Sequence, residues 1–151
     1  MSKSSKIRVL ALGLIQNSDR IFVSQNYDAI KQQTFYRALG GDIDFGESSI
    51  DALKREFQEE IQAKLTNINY LGCLENIFVY QNHVQHEFIQ IYGCDFVDLK
   101  FYQLEELKFI EKKRKKKALW VPLEQFKSGE LILFPEQFLQ YCREQRTPNR
   151  A

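Results

Sequence analysis

The stretch GDIDFGESSIDALKREFQEE, residues 41–60, decides the reading of this chain. It sets Gly41, Glu47, Arg55, Glu56, Glu59 and Glu60 at fixed distances from one another. From about Ser48 to Ala63 the pattern is helical: Ile50, Leu53, Phe57 and Ile61 recur at i, i+3, i+7 and i+11 and share one stripe of a helix. Glu56, Glu59 and Glu60 fall on a neighbouring stripe, roughly 110° away at about 100° per residue. Ser49, Ala52 and Ala63 project along the carboxylate stripe, and small residues there are expected to leave room for an ion and a substrate above the helix. Ser48 or Ser49 is placed to cap the helix N-terminus.

Carboxylates gathered on one face repel; two of them about 6 Å apart cost roughly 2–3 kcal/mol at an effective dielectric near 20. A bound cation turns that repulsion into attraction. Oxygen donors without Cys or His nearby suit Mg²⁺ or Mn²⁺ rather than zinc, and Mg²⁺ leaves coordination positions for water and phosphate oxygens. Glu-rich helix faces are commonly just solvated, so EFQEE alone reads either way. The joint spacing is more specific: six positions at roughly one in fifteen each match by chance on the order of 10⁻⁷ per start site.

With those residues in place the segment resembles the box of the Nudix hydrolase family, MutT-like nucleoside diphosphate-X pyrophosphohydrolases, with the pattern Gly-x5-Glu-x7-Arg-Glu-(apolar)-x-Glu-Glu-x-Gly-(apolar). Gly41, Glu47, Arg55, Glu56, Phe57, Glu59 and Glu60 fit; Gln62 stands where the family has glycine, before Ala63, at or just past the helix end where a left-handed backbone is wanted. Asp44 stands where many members carry Glu. The resemblance extends from about residue 7 to 142, with only the box specific.

Composition agrees with one compact domain over residues 1–151, with a polar tail from Glu144 expected to fray. The chain is 44% hydrophobic and 13% aromatic, enough for a packed interior, and its net charge of +1 argues against a general nucleic-acid binder. Cys73, Cys94 and Cys142 are widely spaced and form no CxxC, which points to buried, reduced thiols in a cytoplasmic protein. The apolar run from Arg8 to Ile15 is too short to span a membrane and reads as a first strand.

Further strands are expected at Ile21–Gln25, after the turn residues Asn17-Ser18-Asp19, and at Phe35–Leu39, leading into Gly40-Gly41. Ile68–Leu74, Ile77–Gln81 and Val84–Phe96 are strand-like, with Gln81-Asn82-His83 as a turn; Glu75-Asn76 reads either as facing a cleft or as a turn, the turn being favoured. Residues 98–118 read as a long charged loop or a short helix, Trp120–Leu123 as re-entry to the core, Glu124–Lys127 as one helical turn and Pro135–Arg143 as a terminal helix. Strands broken by two or three helices give an α+β fold; the resemblance sharpens this to an α/β/α sandwich, a mixed β-sheet flanked by helices.

The resemblance implies a Mg²⁺-dependent (or Mn²⁺-dependent) enzyme cleaving a diphosphate bond in a nucleoside diphosphate linked to another moiety. ADP-ribose, nucleotide sugars, dinucleoside polyphosphates, modified nucleoside triphosphates and capped RNA are the family's range. It implies metal ligation by Glu56, Glu59 and Glu60, with a backbone carbonyl of Gly40 or Gly41, and an orienting Arg55 ion-paired to Glu47. The alternative is a non-catalytic nucleotide-binding or regulatory domain; such domains usually lose box carboxylates, and this chain keeps all of them. Dimers are common in the family, and the sequence reveals nothing on that point.

Which glutamate accepts the proton of the attacking water is left open. Glu87 is the candidate outside the box, since an acidic residue on a central strand is costly unless paired or metal-bound; an exposed strand start accounts for it equally. Arg37, just before the glycine pair, reads either as a phosphate contact or as a solvated edge residue. Trp120, Tyr36, Phe45, Phe78 and Tyr80 are divided between stacking on a base and core packing, the core being favoured. The run Lys112–Lys117 reads as a solvated loop or as an electrostatic guide for polyphosphates or RNA.

Overall fold

The computed structural model describes residues 5–143; the tail from Glu144 lies outside the described residues. Among the described residues eight strands form one mixed sheet: β1 (Ile7–Leu14), β2 (Gln16–Asn17), β3 (Arg20–Asp28), β4 (Gln33–Asp42), β5 (Leu65–Tyr80), β6 (His83–Phe96), β7 (Glu106–Glu111) and β8 (Arg114–Pro122). The order across the sheet is β5-β6-β1-β4-β3-β8-β7, with β2 paired to β3. Among these strands β1 and β6 run parallel and the other pairs are antiparallel. Among the described residues no helix is long and apolar enough to cross a membrane.

Helix α1 (Ser49–Ile61) joins β4 to β5 and lies on one face of the sheet. Its Ala52, Leu53, Phe57 and Ile61 pack with Phe22, Phe96, Phe109, Ala118 and Trp120. The opposite face is covered thinly. A short helix α2 (Leu123–Lys127) and a 3-10 segment, Glu136–Tyr141, bring Leu123, Phe126 and Phe138 against Leu10, Leu12, Ile89 and Ile91. The sheet is therefore flanked by helices, but the expected terminal helix is a tighter, shorter 3-10 segment.

Strand alternation explains the largest departure from the sequence reading. Residues 98–118 are not a loop: after a 3-10 turn at Leu99–Tyr102 the chain forms β7 and enters β8. Leu107, Phe109 and Glu111 share one face of β7, and Arg114, Lys116, Ala118 and Trp120 share one face of β8, because side chains alternate along a strand. The apolar members of both rows join the α1 core, which fixes the register. The lysine-rich sequence hides that period behind charge.

Ile68–Leu74 and Ile77–Gln81 are likewise one strand, β5. Glu75-Asn76 does not break it, because each finds a cross-strand partner: His86 Nε2 lies 2.7 Å from Glu75, and Asn76 Nδ2 donates to Glu87 at 3.3 Å. Of the cysteines, Cys94 is buried, Cys142 is half-buried and Cys73 is exposed, so the expectation of three buried thiols holds only for Cys94. Burial pushes the Cys94 thiol up to about 12.

Candidate metal and diphosphate site

The helix that carries the box begins and ends by identifiable devices. Ser48 Oγ accepts from the Asp51 backbone N–H at 3.2 Å, capping the first turn. At the other end Gln62 adopts the left-handed conformation, φ 53°, its N–H reaching Gln58 O at 3.1 Å while Ala63 N–H reaches Phe57 O at 3.3 Å. The chain thus makes the turn that a glycine makes easily, and a glutamine bears the strain.

Angular position sets how far each carboxylate is sunk. Measured from the centre of the apolar stripe, Glu60 lies about 65° away, Glu56 about 105° and Glu59 about 165°. Burial follows that order: Glu60 is 9% exposed, the Glu56 side chain 16% and the Glu59 side chain 60%. Ser49, Ala52 and Ala63 do not open space for an ion, contrary to the sequence expectation. Ala52 and Ala63 are buried in the core and Ser49 Oγ hydrogen-bonds Tyr92, so these small residues let the helix approach the sheet.

Arg55 gathers the box. Its Nε donates to Glu47 Oε2 at 2.7 Å and one terminal nitrogen to Glu47 Oε1 at 3.0 Å; the other donates to Glu56 at 3.0 Å and to Glu59 at 3.2 Å. The same guanidinium donates to the Asp42 carbonyl at 2.9 Å, tying α1 to the end of β4. The Arg55 hydrogen bond holds the Glu47 carboxyl below its usual range. Burial raises the Glu56 carboxyl, against the pull of Arg55.

Glu111, which sequence reading missed, meets Glu60 across the gap between β7 and α1. Burial, then a hydrogen bond shared with Glu111 and the repulsion of Glu111 and Glu56, push Glu60 up to about 10. Burial opposes the charge on Glu111 too, but the bond from Glu60 and the Lys116 ammonium, 3.1 Å away, keep it ionised. The pair therefore holds one proton between two carboxyls at neutral pH. The signal that could have found Glu111 is the alternation Leu107-x-Phe109-x-Glu111, which points it at the same helix as its apolar neighbours.

Beside these groups the β4 backbone comes close. Gly40 has φ 141°, and a Cβ there would stand 2.1 Å from the Ala11 carbonyl oxygen, so only glycine fits. Among the described residues no three His, Cys, Asp or Glu side chains already converge as a complete ligand set. The donors nevertheless fit a hard dication. They are all oxygens, two of them share a proton that an ion would replace, and Arg55 holds the exposed Glu59 within reach of Glu56 by a bond to each.

A cleft of about 430 Å³ opens from Glu60, Glu111 and Gly41. It follows the face of β4 that carries Gly41, Leu39, Arg37 and Phe35, a run of about 20 Å at roughly 3.4 Å per residue. At its far end the Phe35 ring meets Tyr80 with centroids 5.8 Å apart, and Phe78 sits under the Arg37 guanidinium at 5.9 Å. Arg37 also pairs with Glu87. Glu87 is fully buried, with Arg8 at 3.8 Å and Asn76 at 3.3 Å, and does not line the cleft. The structure thus brings Glu47, Arg55, Glu56, Glu59, Glu60 and Gly41 together, sets Arg37 in the wall, and encloses Glu87 behind it. Trp120 and Tyr36 are core residues, and Phe45 is fully exposed.

Similar folds occur among solved structures. A NUDIX hydrolase from Nitrosomonas europaea superposes with a TM-score of 0.62 at 14% identity, covering 90% of this chain and 86% of that one. A MutT NUDIX hydrolase from Burkholderia pseudomallei gives 0.60 at 20% identity, covering 80% and 86%. The E. coli ORF135 protein gives 0.58 at 18% identity, covering 91% and 89%. At such identities the likeness is one of fold. No curated protein sequence matches this one. The NUDIX domain family model matches residues 5–142, and by that match the chain belongs to the NUDIX domain family.

Proposed function

We propose that the protein is a divalent-metal-dependent pyrophosphohydrolase acting on a nucleoside diphosphate linked to another group. The observation that carries this reading is the buried Glu60–Glu111 pair, which lines the cleft beside Gly41 and feels the charge of Glu56. Glu56, Glu59 and Glu60 would hold Mg²⁺ or Mn²⁺, with the Gly41 carbonyl as a further oxygen. When bound, such a cation supplies neutralisation of phosphate charge and acidifies a water molecule.

The chain's own residues do the rest. Arg55 fixes Glu56 and Glu59 in orientation through bonds to both, and Glu47 fixes Arg55. Glu111, beside Glu60 in the cleft wall, would accept the proton of the attacking water at a carboxylate oxygen. Arg37, held from behind by Glu87, presents donors along the cleft toward the substrate, and the half-buried Phe78 and Tyr80 offer ring faces for a base. Glu87 acts through Arg37 and not on the substrate.

The test is a panel of ADP-ribose, nucleotide sugars, dinucleoside polyphosphates and nucleoside triphosphates, incubated with Mg²⁺ or Mn²⁺ and resolved by chromatography. Cleavage of one or more diphosphate bonds that stops on chelation is the expected result. Inertness across the panel would replace this reading with that of a nucleotide-binding module.

A further inference from the structure

The lysine-rich run is part of the cleft. Lys112, Arg114 and Lys116 line the same cavity as Glu60 and Glu111. Strand alternation puts Arg114 and Lys116 on the α1 face of β8, beyond the apolar Ala118 and Trp120. Lys116 is anchored, 3.1 Å from Glu111 and 2.6 Å from Asn26 Oδ1. Lys112 and Arg114 make no ion pair among the described residues.

The turn itself points the same way. Glu111 pairs with Arg114 across a two-residue connection, Lys112-Lys113, whose backbones have φ 50° and 67°. Both central residues are left-handed, a turn that favours Asn-Gly. Two lysines there accept backbone strain, and Lys112 puts positive charge at the carboxylate end of the cleft.

We propose that the β7–β8 hairpin is a polyphosphate clamp, which makes the preferred substrate a chain of three or more phosphates rather than a diphosphate bearing an uncharged sugar. This rests on the pyrophosphohydrolase reading above. Arg8 and Arg37, the other cations of the cleft, are already matched by Asp42 and Glu87. The charge without a close counter-ion is therefore on the hairpin, where Lys112 acts on Glu111 only at longer range and the phosphates beyond the scissile bond would lie. A diphosphate diester neutralised by one dication leaves little anionic charge for Lys112 and Arg114; a triphosphate leaves about two further negative charges to meet them. A free nucleoside triphosphate and the 5′-triphosphate end of an RNA both carry this chemistry.

Two variants test it: Lys112→Asn/Lys113→Gly, which installs the favoured turn and so should fold at least as stably, and Arg114→Gln. With Mg²⁺, kcat/KM is measured for ATP, a 5′-triphosphorylated oligonucleotide and ADP-ribose. The triphosphates should be preferred in the parent, and the triphosphate to ADP-ribose ratio should fall about tenfold or more in each variant. Preference between ATP and the oligonucleotide identifies the source. ADP-ribose turned over as well as the triphosphates, or a ratio unmoved by both variants, would overturn the clamp while leaving the hydrolase reading intact. If nothing is cleaved, the hydrolase reading falls, and calorimetry with inorganic tripolyphosphate and pyrophosphate decides the clamp. Tighter tripolyphosphate binding that both variants weaken supports it, and equal binding refutes it.

Discussion

A Cβ on Gly41 would stand 2.4 Å from the carboxyl carbon of Glu56. The end of β4 and the carboxylate stripe of α1 are in contact, and the absence of a side chain at position 41 is what lets them meet. The obstacle to a larger residue is the tip of a flexible side chain, not a backbone atom.

Gly41→Ala should therefore spare the fold and damage the site. Unfolding in urea should change by no more than about 1 kcal/mol. Glu56 must swing away, so Mg²⁺-dependent turnover should fall about tenfold, equal to roughly 1.4 kcal/mol. A variant with parental activity would show that Glu56 is not needed where it stands.

Glu60→Gln separates stability from activity. The Glu60 carboxyl titrates near 10 in the folded chain against an ordinary 4.5, so between those values the native state holds a proton that the unfolded state has lost. Its contribution therefore falls as pH rises through that window. Glutamine mimics the protonated form without titrating. In metal-free buffer the variant should melt with the parent near pH 4 and above it by pH 8, by about 1–3 kcal/mol. Mg²⁺ should raise the melting temperature of the parent alone, and turnover should drop about a hundredfold or more, roughly 2.7 kcal/mol. Retained Mg²⁺-dependent turnover would remove Glu60 from the ligand set.

Glu87→Ala should be far more destabilising than its distance from the chemistry suggests. The Glu87 carboxylate is fully buried between Arg37 and Arg8, and its loss leaves Arg37, itself only 17% exposed, without its counter-charge. The cost should be about 3–5 kcal/mol in chemical denaturation. Glu87→Gln, which keeps the shape and a hydrogen-bonding oxygen, should cost less. Equal small losses for both would mean that water, not Glu87, serves Arg37.

Gln62→Gly should stabilise the chain. The left-handed backbone at Gln62 is relieved by removing Cβ, at the loss of a 3.2 Å bond from its side chain to the Glu59 carbonyl. A gain of about 0.5–1 kcal/mol is expected in thermal or urea unfolding. A loss would mean that the side-chain bond outweighs the strain.

What could be read from the chain itself was local. The stripe Ile50, Leu53, Phe57, Ile61 dictated α1, and helical geometry placed the three box glutamates beside it. The pairing of Arg55 with Glu47 followed from the box as a resemblance, and the structure shows it at 2.7 Å. The β7–β8 hairpin was hidden because its polar alternate residues are lysines, so composition outweighed period. Glu75-Asn76 read as a break because their partners, His86 and Glu87, sit on another strand.

Sequence alone determined which residues form the box helix and that Glu56, Glu59 and Glu60 share its acidic side, because a helix maps spacing onto angle. Tertiary structure decided how that face is completed. Glu111 arrives from β7, some fifty positions on, and the depth of burial that keeps Glu60 protonated depends on what packs over it. Arg37 faces the cleft instead of water because Glu87, on a strand two places across the sheet, neutralises it from behind. Contacts between distant segments follow from sheet order and register, which no local window contains.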